Sequence, residues 1–154
     1  MLSGYAQESS PLMCRDALRP VLLQANPDPA ALIDIQHVCE GQAAAGDPDA
    51  LYQLSLLHLG LLDWQPDKAI PMLRSAAESG ISEAQYWMAW QREAGPLLDN
   101  DPERALHWYL LAGKQEHRLA LGRLADIYAN GELGEMADNK KASQYRAQAA
   151  RCKN

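Results

Sequence analysis

The chain has no phenylalanine and few β-branched residues, the side chains that best suit the half-buried surface of a sheet. Leu and Ala dominate the apolar 47% that remains, so the composition favours helix and no sheet is expected. Long hydrophobic runs are also missing. None approaches the roughly 20 consecutive apolar residues that a membrane-spanning helix needs. Positive charge is scarce and scattered, with 14 Lys and Arg against 20 Asp and Glu and a net charge of −6. Without a basic stripe, phosphate-backbone binding is disfavoured and no nucleic-acid partner is expected. The first ten residues, Met1 to Ser10, lack both a basic n-region and an apolar h-region, so no signal peptide is expected in this stretch. A signal removed beforehand would leave the same start. The expected compartment is therefore periplasmic or exported in that case, and cytoplasmic otherwise.

Catalytic patterns are missing as well. The four histidines, His37, His58, His107 and His117, show neither H-E-x-x-H spacing nor a Cys-x-x-Cys companion, so no metal site is expected. No Gly-x-Ser-x-Gly elbow and no Gly-x-x-x-x-Gly-Lys loop occurs. Gly131-Glu-Leu-Gly134 reads as a loop between helices, and Asp99 and Asp101 as acids beside a helix start. No catalytic residue and no cofactor is expected, and the chain reads as a non-enzyme.

What is present is repetition. Gly46, Ala50, Leu54, Ala69, Met72 and Ala76 have equivalents in Gly80, Ala84, Met88, Ala105, Trp108 and Ala112, shifted by 34 to 36 residues. A third set follows after 36 to 37 more: Glu116, Ala120, Leu124, Ala142, Tyr145 and Ala149. Units of this length are helix-turn-helix repeats. In the second unit Ser82 reads as an N-cap and Gly95-Pro96 as a stop, and Asp101-Pro102 opens a second helix. Gln65-Pro66 and Asp138-Asn139 read as equivalent starts. Ala69/Ala76, Ala105/Ala112 and Ala142/Ala149 lie seven apart, on one helix face, where backbones can approach closely.

Residues 12–45 fit no unit, but Leu12 to Ala25 and Pro29 to Ala45 read as two helices broken at Asn26-Pro27-Asp28-Pro29. The expected architecture is an all-α, right-handed α-α solenoid of about eight helices. Residues 1–11 are expected to be disordered or extended, 12–45 to form a capping hairpin, and 46–154 to hold three repeats at about 46–79, 80–115 and 116–152. Terminal units depart from the repeat pattern because one face meets water. Within the hairpin, Cys14 lies about 13 residues before the turn and Cys39 about 12 after it. Similar heights make the two a candidate disulfide. Two buried free thiols are the alternative, and a bridge would leave Cys152 unpaired.

In stacked helix pairs the first helix of each lines the concave wall. Positions two before and two after Leu54, Met88 and Leu124 face it: Tyr52 and Leu56, Tyr86 and Trp90, Gly122 and Asp126. Tyr52, Leu56, Tyr86, Trp90 and Asp126 are the candidate partner-binding residues, since accessible Tyr and Trp anchor protein interfaces. Tyr86 and Trp90 suit a core role equally well. Trp87, Trp108 and Tyr109 read as core, and Trp64 as an exposed contact or a staple over the first repeat.

The residues resemble Sel1-like repeats. The third unit shows Leu124, Tyr128, Gly131, Gly134, Lys141-Ala142, Tyr145 and Ala149-Ala150. The second shows Gly95, Arg104-Ala105 and Trp108-Tyr109, and the first Asp67-Lys68-Ala69 and Ala76-Ala77. The family glycine after the Leu is Ser55, Ala89 and Ala125 here, and the family tyrosine is His58 in the first unit and Arg92 in the second. In that position His58 reads as a packed core histidine. Tetratricopeptide repeats are the near alternative and imply almost the same fold. The resemblance implies a protein-binding partner role: an immunity protein that neutralises a toxic secreted bacterial enzyme, such as an antibacterial phospholipase. An envelope or signalling scaffold is the second implication. A hydrolase of the disulfide-rich Sel1-like kind is the third, disfavoured because Cys14 and Cys39 lie outside the repeats.

Overall fold

Prolines and aspartates set where the helices begin. In the computed structural model, which describes residues 12–152, the elements are α1 (Cys14–Leu22), α2 (Pro29–Ala44), α3 (Pro48–Leu57), α4 (Pro66–Glu78), α5 (Ser82–Glu93), α6 (Pro102–Lys114), α7 (Arg118–Asn130) and α8 (Asn139–Arg151). The expectation for residues 1–11 falls outside the described residues. Pro29, Pro48, Pro66 and Pro102 each stand in a first turn, where a missing N–H breaks no helical bond. Asp28, Asp47, Asp101 and Asp138 cap α2, α3, α6 and α8, accepting from main-chain N–H groups at 2.9 to 3.0 Å.

Two starts differ from the sequence expectation. Gln65 precedes α4 but does not cap it, because its amide donates instead to Asp63 at 2.5 Å. Ser82 is the first residue inside α5, where its hydroxyl donates to Glu83, and the N-cap is Ile81 with no side-chain bond. The cause lies in the preceding turn. Gly80, at φ 98°, donates its N–H to the Ala77 carbonyl while Ile81 donates to Ala76, which closes α4 and places Ile81 at the head of α5.

That turn occurs three times. Gly46 (φ 92°) and Asp47 donate to Ala43 and Gln42, and Glu116 (φ 59°) and His117 donate to Gly113 and Ala112. A single left-handed residue thus ends one helix and orients the next at each of these junctions. At the third junction the left-handed residue is a glutamate, whose Cβ makes that conformation costly.

Among the described residues there is no strand, only one isolated antiparallel bridge, Leu59 to Trp64. Each helix packs on its sequence neighbour, and α1 also reaches α3, as expected when every unit touches only adjacent ones. The interior is alanine-rich: Ala50, Ala69, Ala76, Ala84, Ala105, Ala112, Ala120 and Ala142 are all fully buried. Leu54, Met88 and Leu124 pack beside them at 4%, 2% and 0% exposure. Ala149 is only half-buried, because no described helix follows α8. At the other end, Cys14 and Cys39 form a disulfide with Cα atoms 4.8 Å apart, buried with Leu18, Leu32 and Ile35 against Leu54 and Leu57 of α3. Closing a loop with a sequence separation of 25 stabilises by about 3 to 4 kcal/mol in the chain-entropy account. Cys152 is free.

The left-handed glutamate yields a prediction. Glu116→Gly removes the Cβ conflict and keeps the carbonyl that accepts from Cys152, while adding backbone freedom to the unfolded chain. The net effect is a stabilisation of about 0.5 to 1 kcal/mol, seen as a raised Tm in a thermal melt. An unchanged or lowered Tm would contradict it.

Candidate functional site

The most exposed tryptophans stand beside one another. Trp90, in the last turn of α5, is 44% exposed, and Trp64, in the loop before α4, is 62% exposed. Together with Trp87, Leu59, Pro96 and Leu97 they line an open cavity of about 220 Å³. Its walls come from the end of α5 and from two loops, each closed by hydrogen bonds. In the first, His58, buried at the end of α3, hydrogen-bonds Asp63 through Nδ1 at 2.8 Å, and the Gln65 N–H donates to the His58 carbonyl at 2.8 Å. The His58 bond is the chief reason the Asp63 carboxyl titrates below the usual carboxylate range. Trp64 is carried at the edge of this tight loop rather than folded under it.

In the second loop the buried Gln91 accepts from the Leu97 N–H at 3.0 Å through Oε1. Gly95 makes this possible: a Cβ there would lie 2.1 Å from Gln91 Oε1 and 2.6 Å from the Gln91 Cα. The Asp101 N–H closes the loop on the Arg92 carbonyl at 2.8 Å.

The five candidate binding residues fall into different surroundings. Trp90 lines the tryptophan cavity. Tyr86, one turn earlier on α5, is half-buried toward the third repeat: its ring stacks on His117 at 4.9 Å and tilts against Tyr109 at 5.8 Å. Tyr52 is half-buried beside Leu73 and Met88, among the charges of Arg15, Asp49 and Glu83; burial chiefly pushes its phenol upward. Leu56 is half-buried on α3, and Asp126 is exposed on α7. Of the tryptophans read as core, Trp87 and Trp108 are only half-buried, whereas Tyr109 is fully enclosed. An interior filled with alanine leaves little depth for indoles, so they lie across the seams.

Sequence reasoning missed the lock behind this face. Glu93, ending α5, accepts from the Tyr109 hydroxyl of α6 at 2.6 Å and from Arg123 of α7, which also bonds Glu132. Burial and the adjacent Glu93 hold the Tyr109 phenol protonated, and the two carboxylates raise Arg123 further. Three helices are thereby fixed at one point. No local pattern announces residues 16 and 30 apart meeting there.

Comparison with known proteins places this geometry. A family model described as the Sel1 repeat matches residues 48–81, 82–117 and 118–154. Among curated proteins, chitin synthase regulatory factor 2 of Schizosaccharomyces pombe is 31% identical over 115 residues. An uncharacterised protein of Neisseria meningitidis serogroup B is 33% identical over 110 residues. Each match covers 70% of this chain but only 22% of the relative, so the chain spans about a fifth of the length of these proteins. Among solved structures, a Sel1 repeat protein from Oxalobacter formigenes superposes with a TM-score of 0.70 at 30% identity, covering 75% of this chain and 88% of that one. A protective antigen of uropathogenic Escherichia coli with an SLR fold gives 0.63 at 22% identity, covering 75% and 25%, a likeness of fold alone.

Two predictions separate exposed from structural aromatics. Trp90→Ala is expected to cost about 1 kcal/mol of stability or less, and Tyr86→Ala about 2 to 3 kcal/mol, because only the second leaves a hole among packed rings. Denaturant melts measure both, and the reverse order would contradict the assignment. The second concerns His117, which caps α7 by accepting from the Ala120 N–H at 3.3 Å through Nδ1. Burial, only partly opposed by Glu83, lowers its pKa in the folded chain. The unfolded chain then binds the proton more readily, so stability falls as pH drops below about 6.5 and through the lower folded value. His117→Asn keeps a capping side chain that cannot titrate, so it should flatten this part of the Tm-against-pH curve. An unaltered slope would contradict the cap.

Proposed function

The chain belongs to the Sel1 repeat family, and from that premise we propose that it is a non-enzymatic protein-binding module that inhibits a toxic secreted bacterial enzyme such as an antibacterial phospholipase. The observation that carries the binding reading is the cavity lined by Trp64, Trp87 and Trp90. Indoles held on a helix and on a hydrogen-bonded loop can be desolvated by a partner at little conformational cost, which is the property of interface anchors. In this reading Trp90 and Trp64 form the centre, and Tyr52, Leu56, Tyr86 and Asp126 flank it along α3, α5 and α7. The hairpin of residues 12–45 acts as the cap, stapled by Cys14–Cys39, and the three repeats form the binding array.

Two further features support an inhibitor. The net charge of −6 would speed encounter with a basic partner. A curated relative that this chain matches is named as a regulatory factor of chitin synthase, which fits regulation of an enzyme.

The test begins with capture from a bacterial host by the wild-type chain and by Trp90→Ala and Trp64→Ala in parallel. A partner retained by the wild type is then titrated by calorimetry. Each truncation should weaken binding by about 30-fold, corresponding to the 2 kcal/mol typical of central aromatics, while the far-ultraviolet circular dichroism stays unchanged. The partner's own activity should be suppressed in proportion to bound chain. Full activity at saturation would replace the inhibitor with a scaffold, and equal affinity of all three proteins would overturn the site.

A further inference from the structure

The second repeat departs from the third at one corner, and the departure opens a basic cavity in an acidic protein. In the third repeat, Tyr128 stacks on Tyr145 with centroids 5.7 Å apart, and Lys141 Nζ sits 4.7 Å above the Tyr128 ring. This closes the seam between α7 and α8. Counting from the paired positions Leu124 and Met88, Lys141 and Arg104, and Tyr145 and Trp108, the equivalents in the second repeat are Arg92, Arg104 and Trp108. Arginine therefore stands where the third repeat has the sealing tyrosine. In the first repeat the same position is His58, which has Asp63 as its partner.

Arg92 has no comparable partner. Its Nη1 donates to the Asp99 carbonyl at 3.1 Å, but its Nε is buried without any hydrogen-bond acceptor. A buried donor left unpaired is costly, and more so on a charged group. Beside it lies a cavity of about 350 Å³ whose walls include Arg74 of α4, Arg92 and Met88 of α5, and Arg104, His107 and Trp108 of α6. Glu78 is the one carboxylate on the wall, and Asp101 pairs with Arg104 from outside at 3.3 Å. Arg74 and Arg92 take part in no ion pair among the described residues. Three arginine side chains thus line one opening, with Met88, His107 and Trp108 completing its wall.

We propose that this cavity binds the phosphate group of a small organic phosphate. A single carboxylate saturates one guanidinium fork, whereas a phosphate has terminal oxygens enough to serve several. The volume exceeds what a bare phosphate fills, and Trp108 offers a flat surface for a ring carried by the ester. The site is separate from the tryptophan cavity. Arg92 follows Trp90 by two positions, roughly 200° around α5.

The experiment uses the full chain and three probes: inorganic phosphate, pyrophosphate and phenyl phosphate, each titrated at constant ionic strength set with potassium chloride. Binding is read by calorimetry and by the Arg92 Nε–Hε resonance in nitrogen-15 spectra. The expected result is saturable binding, movement of that resonance, and tighter binding of phenyl phosphate than of inorganic phosphate. Arg74→Ala and Arg104→Ala, both at exposed positions, should each weaken binding by about tenfold, and Arg92→Lys, which keeps the charge but loses the fork, by a similar factor. Trp90→Ala should leave affinity unchanged. A response that potassium chloride alone reproduces, or that survives intact in the Arg74→Ala/Arg104→Ala double variant, would overturn the proposal. Equal binding of inorganic and phenyl phosphate would remove Trp108 from it.

Discussion

Close approach of helix backbones at alanine contacts is the constraint on which the structure depends. Among the described residues, nine alanines spread over α3 to α8 are fully buried. A methyl group at each contact lets neighbouring helices come nearer than leucine would allow, and it gives the side chain no rotamer freedom to lose. Gly113 extends the same logic, since a Cβ there would lie 2.8 Å from a Leu124 methyl. A larger residue at any of these points would push a helix pair apart and shift every later unit, because each unit is positioned only by its neighbour.

The distribution of the large side chains follows from that closeness. Leucine and methionine fill the spaces that alanine leaves; Tyr109 enters the centre with its hydroxyl on Glu93, and Tyr128 is buried against Tyr145. Indoles are too wide, so they are displaced to seams and loop edges, where Trp64, Trp87 and Trp90 gather. An interior built from small residues therefore produces an aromatic outer face on α5 and its flanking loops, and those loops are fixed by buried polar groups, His58 and Gln91. The same closeness explains why a change at the tyrosine position matters. His58 recruits an acid, Tyr128 seals against Tyr145, and Arg92 leaves an opening.

Much of the fold was legible because its causes are local. The recurrence of Gly46, Gly80 and Glu116 marked positions that all adopt positive φ, even though the third is not glycine. Prolines and aspartates marked most helix starts. Gln65 and Ser82 were misread because their roles depend on neighbours a few residues away: Asp63 draws the Gln65 amide, and the Gly80 turn hands the N-cap to Ile81. The site was less legible. Spacing put Tyr86 and Trp90 on one helix face, but the half-burial of Tyr86 comes from Tyr109 on α6 and from His117 at the head of α7. Trp64 meets Trp90 only through the path of a loop, and Glu93 meets Arg123 only once three helices are docked. Neither meeting has a periodicity to betray it.

The central claim is that the tryptophan face binds a partner while the alanine interior carries the fold. Hydrogen–deuterium exchange on the chain, alone and in complex with the captured partner, tests it most directly. The account predicts slowed exchange in residues 59–64 and 87–97 on binding, with the interior of α6 and α8 unaltered. Protection confined to α8, or absent from both tryptophan-bearing segments, would contradict it.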